Sequence, residues 1–126
     1  MAPTDPERRW AMGAHLSSIP GMLVGLGFVG PVLVLWRRSR ESPMIRQHAV
    51  AAVNFNVTVG LVGLVGISVI RTIADNTGNA GWAAGASLSV IVLLTVYWFL
   101  FTVRAVMSAR YREPAGSPLS LSFVRI

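Results

Sequence analysis

Three long runs without a charged residue dominate this chain: Ala11 to Leu35, Gln47 to Ile70 and Asn76 to Val103, of 25, 24 and 28 residues. About 20 mostly apolar residues cross the hydrocarbon of a bilayer as an α-helix. A soluble helical bundle is a poor alternative, because these runs leave almost no polar face to meet water. The first run is also too long for a cleavable signal peptide, and no small-x-small cleavage site follows it. The expected fold is therefore all-α and polytopic, one membrane domain over residues 1–126. Its segments lie near 11–35, 49–73 and 82–107, with a loop at 36–48, a turn at 74–81 and a C-terminal tail on the interface.

The charges sit between these runs. Only 13% of residues are charged, and all 11 basic residues are arginine, giving a net charge of +6. They flank apolar segments as in membrane proteins. No basic helix with interleaved aromatics is present, so nucleic acid is not an expected partner. The chain has no cysteine. That excludes a disulfide framework, a Cys-type zinc site, an iron–sulfur cluster and a Cys nucleophile.

Arginine placement also sets an expected orientation. Arg37, Arg38, Arg40 and Arg46 crowd the 36–48 loop, and Arg110, Arg112 and Arg125 the tail, whereas the 74–81 turn carries only Asp75. Arginine-rich loops stay in the cytoplasm, which puts the loop and C-terminus inside and the short turn outside. The four loop arginines are candidate contacts for anionic lipid headgroups, each worth about 1 kcal/mol. Arg71 and Asp75, four apart, can pair at the outer end of the second segment.

The first run is irregular. Thr4-Asp5-Pro6-Glu7 reads as a helix start. Farther on, Pro20-Gly21 and Gly30-Pro31 interrupt the apolar pattern, and proline in a helix interior removes a donor and clashes with the preceding turn. The run is either one kinked span or a hairpin of two helices, roughly 6–19 and 31–38, that enters and leaves on one side. The hairpin is preferred, since it gathers Arg8 and Arg9 with the other arginines. Its arms are too short for a full crossing.

Some polar and small residues fall in patterns. Gln47, Asn54, Thr58, Ser68 and Thr72 share one stripe of the second helix. An amide in hydrocarbon needs a partner, so this stripe should face protein, with interhelical bonding as its default role and a polar path as the sharper one. Val57 should face lipid. His15 and His48 come together only if the hairpin forms. Two histidines without an acid make a poor metal site, so no metal is expected. Gly13, Ser17, Gly21 and Gly25, and then Gly81, Gly85 and Ser89, recur every fourth residue, a spacing that lets helix backbones approach.

Several motifs in order carry a resemblance: Trp10-Ala11-Met12-x-Ala14-His15-Leu16-Ser17, Gly30-Pro31, Glu41-Ser42-Pro43, His48 with Ala52-x-Asn54-Phe55, and Pro118-Leu119-Ser120. Over residues 8 to 126 the chain resembles a group of small bacterial integral-membrane proteins of unknown function. That group is similar to the twenty-kilodalton subunit of the chloroplast inner-envelope import translocon (Tic). The resemblance implies four membrane helices, no established enzymatic activity and, for the chloroplast relative, a part in preprotein translocation.

Nothing in the sequence composes an active site, and no charge sits mid-segment to mark a transport path. No enzyme activity and no cofactor are expected. The expected function is a non-catalytic membrane accessory subunit or assembly and translocation factor in a bacterial cytoplasmic membrane. It would work by packing against a larger membrane protein or a second copy of itself, through His15, His48, Asn54, Thr58, Gly81 and Gly85. The alternative is a small oligomeric channel or carrier using the Asn54–Thr58 stripe.

Overall fold

The computed structural model describes residues 4–23, 25–111 and 123. Five helices follow in order: α1 (Asp5–Leu16), α2 (Ser18–Met22), α3 (Val29–Arg38), α4 (Pro43–Thr77) and α5 (Ala83–Arg110). No strand occurs among the described residues. Two helices, α4 and α5, are long and apolar enough to cross a membrane.

Local chemistry sets the helix ends. Thr4 and Glu7 form a reciprocal capping box at the start of α1, with Pro6 in the first turn. The Ser42 hydroxyl accepts the Met44 amide at 3.2 Å, and Pro43 occupies the first helical position of α4. Helix α4 therefore begins inside the expected 36–48 loop, leaving only 39–42 between helices. At its far end α4 runs on through Thr77 and stops at Gly78, whose φ of 65° is the left-handed conformation that glycine adopts without a Cβ penalty. The expected turn at 74–81 is thereby shortened.

The two prolines of the first run act differently from the sequence expectation. Pro20 lies in the first turn of α2 and Pro31 in the first turn of α3. Neither position needs an intrahelical donor, so both prolines open helices rather than end them. The chain reverses between Met22 and Val29, where Gly25 takes φ 76°.

Contacts establish that α1 and α3 are antiparallel. The Arg38 guanidinium lies 4.5 Å from the Trp10 ring centre, Ala14 and Val34 share a core cluster, and a Cβ on Gly30 would stand 2.1 Å from the Ser17 carbonyl oxygen. Partners on α3 descend as those on α1 rise. The single kinked span is thus excluded, and the chain forms the hairpin. Helix α1 runs alongside α4 in the same direction: Ala14 meets Ile45 and Ala49 in one buried cluster, and Gly27 approaches Asn56.

Helices α4 and α5 are antiparallel neighbours. Phe55 stacks on Phe101 with ring centres 5.2 Å apart. A Cβ on Gly63 would lie 3.2 Å from Leu94, and one on Gly66 3.6 Å from Val90. These are the glycines at which the two long helices approach.

The hairpin covers only the first half of α4. Its tip, at Gly27, is level with Asn56, about 13 Å along the helix from Gln47. The uncharged stretch from Gln47 to Ile70 is about 36 Å long. The hairpin therefore reaches a little over a third of the way along the apolar span and turns back, a re-entrant element. Such backbone is allowed at membrane depth when protein covers it, and here α4 and α5 do so. The outer halves of α4 and α5 stand as a pair, with Leu64, Val65, Leu88 and Leu93 exposed.

Candidate functional site

Buried polar side chains gather where the hairpin meets α4 and α5. His15 comes from α1, Ser18 from α2, and His48, Asn54, Asn56 and Thr58 from α4; all are buried. This seam follows directly from the hairpin, because α1 must run beside α4 for its polar groups to face those of α4.

At the upper end of the seam, Nε2 of His15 and Nδ1 of His48 are 3.1 Å apart, with the rings edge to face. One imidazole donates and the other accepts. The Ser18 hydroxyl donates to the His15 carbonyl at 2.6 Å, spanning the break between α1 and α2. Among the described residues no third His, Cys, Asp or Glu joins the pair.

At the lower end, beside the hairpin tip, Asn56 is the centre. Its side-chain oxygen accepts the Trp98 indole N–H at 2.8 Å, and its amide nitrogen donates to the Ala52 carbonyl at 2.8 Å. The same oxygen faces Gly27, where a Cβ would approach to 2.9 Å. One asparagine thus ties α4 to α5 at the point where the hairpin turns. Asn54, two residues earlier, accepts the Phe123 backbone amide at 3.0 Å. Thr58 donates to the Asn54 carbonyl at 2.7 Å.

The expected stripe is divided. Asn54 and Thr58 are buried within the chain, whereas Ser68 and Thr72 are exposed and donate to their own helix at the Leu64 and Ser68 carbonyls. Hydroxyls in a helix can close on the carbonyl four residues back, so the outer stripe needs no partner helix. Val57 is half-buried. Asn54 and Thr58 hold internal contacts.

The glycine runs also differ from expectation. Gly85 has nothing within 4 Å of an added Cβ, and Gly81 meets only Asn79. Neither mediates a close approach inside the chain. In the first run Gly13 and Gly25 are likewise open, while Gly21 is tight: a Cβ there would stand 2.3 Å from the Leu26 carbonyl oxygen.

The hairpin gathers charge at one end of the molecule. Arg8 and Arg9 on α1, Arg37 and Arg38 on α3, Arg40 in the link, Arg46 on α4 and Arg110 on α5 all lie there. Arg8 pairs with Asp5, and Arg38 with Glu41 at 2.6 Å. Arg40 and Arg46 are exposed. Here too the Glu7 carboxyl is held below the usual carboxylate range, first by a hydrogen bond from the Ser42 side chain and then by the Thr4 backbone and side chain. Glu7 thereby links the start of α1 to the cap of α4. At the opposite end, Arg71 and Asp75 form no ion pair among the described residues. Of the expected interfacial tail, Arg110 ends α5 and Tyr111 caps it; apart from these and Phe123, the tail lies outside the described residues.

Sequence reasoning missed Asn56 and the role of Trp98. A signal was available: an indole within an apolar run needs a partner for its N–H. Asn56, however, lies off the Asn54–Thr58 stripe, so the stripe drew attention to Asn54 alone.

The family model for MamF/MmsF, described as the magnetosome magnetite crystal formation protein family, matches residues 6–124. No curated protein and no solved structure matches the chain. The expectation of a small membrane-protein family is met by this match. The further likeness to the chloroplast translocon subunit finds no support in it.

Proposed function

The chain belongs to the magnetosome magnetite crystal formation protein family, and from that premise we propose that it is a non-catalytic accessory protein of the magnetosome membrane, acting through contacts with other membrane components during crystal formation. The observation that carries this reading is where the polar groups go. The buried imidazoles and amides bond to one another, as His15 to His48 and Asn56 to Trp98. They hold the hairpin in place. What the chain offers its surroundings is an apolar pair of long helices and one arginine-rich end. Such a surface suits assembly with lipid and protein. The exposed Gly85 and Ser89 face of α5 is a packing surface for a partner helix, since small residues allow close backbone approach. The arginine-rich end faces the cytoplasm.

The test is deletion of the gene in a magnetite-forming bacterium, with complementation by a tagged wild-type chain. The expected result is altered crystal size or number on deletion, recovery on complementation, and co-purification of the tagged chain with magnetosome membranes. Unchanged crystals, together with a chain absent from those membranes, would overturn the proposal.

A further inference from the structure

Between the hairpin and α5 lies an apolar cleft of about 210 Å³. Leu16 and Ile19 form one wall, and Trp98, Phe99, Val103 and Met107 the other. Thr102 and Val106 complete the lining, and among the described residues no polar surface is exposed in it, the Trp98 N–H pointing away to Asn56. From Trp98 to Met107 the cleft runs about 13 Å along α5. That is close to the depth of one leaflet, half of a hydrocarbon core of about 30 Å. The match is a consequence of the re-entrant hairpin, which ends about 13 Å along the span and so walls about one leaflet.

Each wall leads to an arginine. Arg9 stands on the same face of α1 as Leu16, seven positions back along the helix. Arg110 stands on the face of α5 that carries Val103 and Met107, seven and three positions on. Both arginines are exposed, and among the described residues neither forms an ion pair, unlike Arg8 and Arg38.

We propose that this cleft binds an anionic phospholipid of the surrounding bilayer, with one acyl chain between α1–α2 and α5 and the phosphate at Arg9 and Arg110. An uncharged cleft alone would accept any chain. The two guanidiniums at its mouth, neither in an ion pair among the described residues although Arg110 lies 5.9 Å from the Tyr111 ring centre, select a headgroup with net negative charge, and they reach phosphate oxygens with paired donors. The proposal rests on the membrane placement of the chain and is independent of its part in crystal formation.

Native mass spectrometry of the full chain in mild detergent tests it, with phosphatidylglycerol and phosphatidylcholine of identical acyl chains as probes. The wild type should retain phosphatidylglycerol over phosphatidylcholine by about 25-fold, about fivefold for each arginine. The double variant Arg9→Gln/Arg110→Gln should lose that preference while still binding either lipid weakly. Val103→Trp should fill the cleft and reduce retention of both. The control Arg71→Gln, an exposed arginine at the opposite end of α4, should behave as wild type. Equal retention of both lipids by the wild type would overturn the proposal, as would a preference that survives Arg9→Gln/Arg110→Gln or is lost in the control.

Discussion

His15 and His48, 33 positions apart in the chain, share a buried hydrogen bond of 3.1 Å between Nε2 of the first and Nδ1 of the second. That bond exists only because the hairpin lays α1 beside α4. Replacing either histidine alone by leucine removes the ring partner of the other, at a cost of about 1–3 kcal/mol. Replacing both should cost less than the sum of the two. A double-variant cycle in detergent unfolding measures the coupling, and additive losses would show that the rings do not act as a pair.

Asn56 and Trp98 should couple in the same way. Asn56→Leu leaves the indole N–H without its acceptor, and about 1–3 kcal/mol of stability is expected to go with it. Trp98→Phe should remove most of the penalty of Asn56→Leu. Asn54→Leu should be milder, since the Phe123 backbone amide it accepts is only part-buried. Equal losses for Asn54→Leu and Asn56→Leu would contradict the assigned centre.

Gly30→Ala and Gly21→Ala should prevent the hairpin from closing. Their Cβ atoms would meet backbone oxygens at 2.1 and 2.3 Å, and backbone cannot swing aside as a side chain can. Overpacking of this kind costs about 1–3 kcal/mol or more. Gly13→Ala and Gly85→Ala, with open space around them, should leave the folded yield intact. Size-exclusion profiles of the four variants separate the two classes.

The hairpin also determines sidedness. A tag before Met1 and a cysteine at Ser39 should share one side, and a cysteine at Asn79 should lie on the other. With the arginine-rich end inside, an impermeant thiol reagent should label Asn79→Cys in intact cells and spare Ser39→Cys. The reverse pattern would invert the topology, and a tag exposed opposite Ser39 would break the hairpin.

Acid should loosen the start of α1. Glu7 has its folded pKa lowered by Ser42 and Thr4, so its ionised form stabilises the folded state above the ordinary carboxylate value of 4.5. That contribution fades as pH falls from there through the lowered folded value. Amide protection in the first turn of α1, followed by hydrogen exchange and corrected for intrinsic rate, should drop over that range in the wild type. In Glu7→Gln it should be flat.

Helix type and number of long spans were legible from the chain alone, because charge-free runs of 24 and 28 residues leave the backbone no other way to satisfy its hydrogen bonds in lipid. The capping signal of α1 was legible too, since Thr4 and Glu7 act on their own neighbours, whereas Ser42 and Gly78, which bound α4, were read only as parts of a loop and a turn. The first run was ambiguous for a physical reason: proline opens a helix as readily as it ends one, and only neighbouring contacts decide. Tertiary structure decided that Ser17 and Gly30 meet, which made the hairpin. The hairpin in turn brought His15 to His48 and set Gly27 beside Asn56. Side chains that bond across helices carry no periodic mark of their partner, so Asn56 looked less important than Asn54 until α5 placed Trp98 against it.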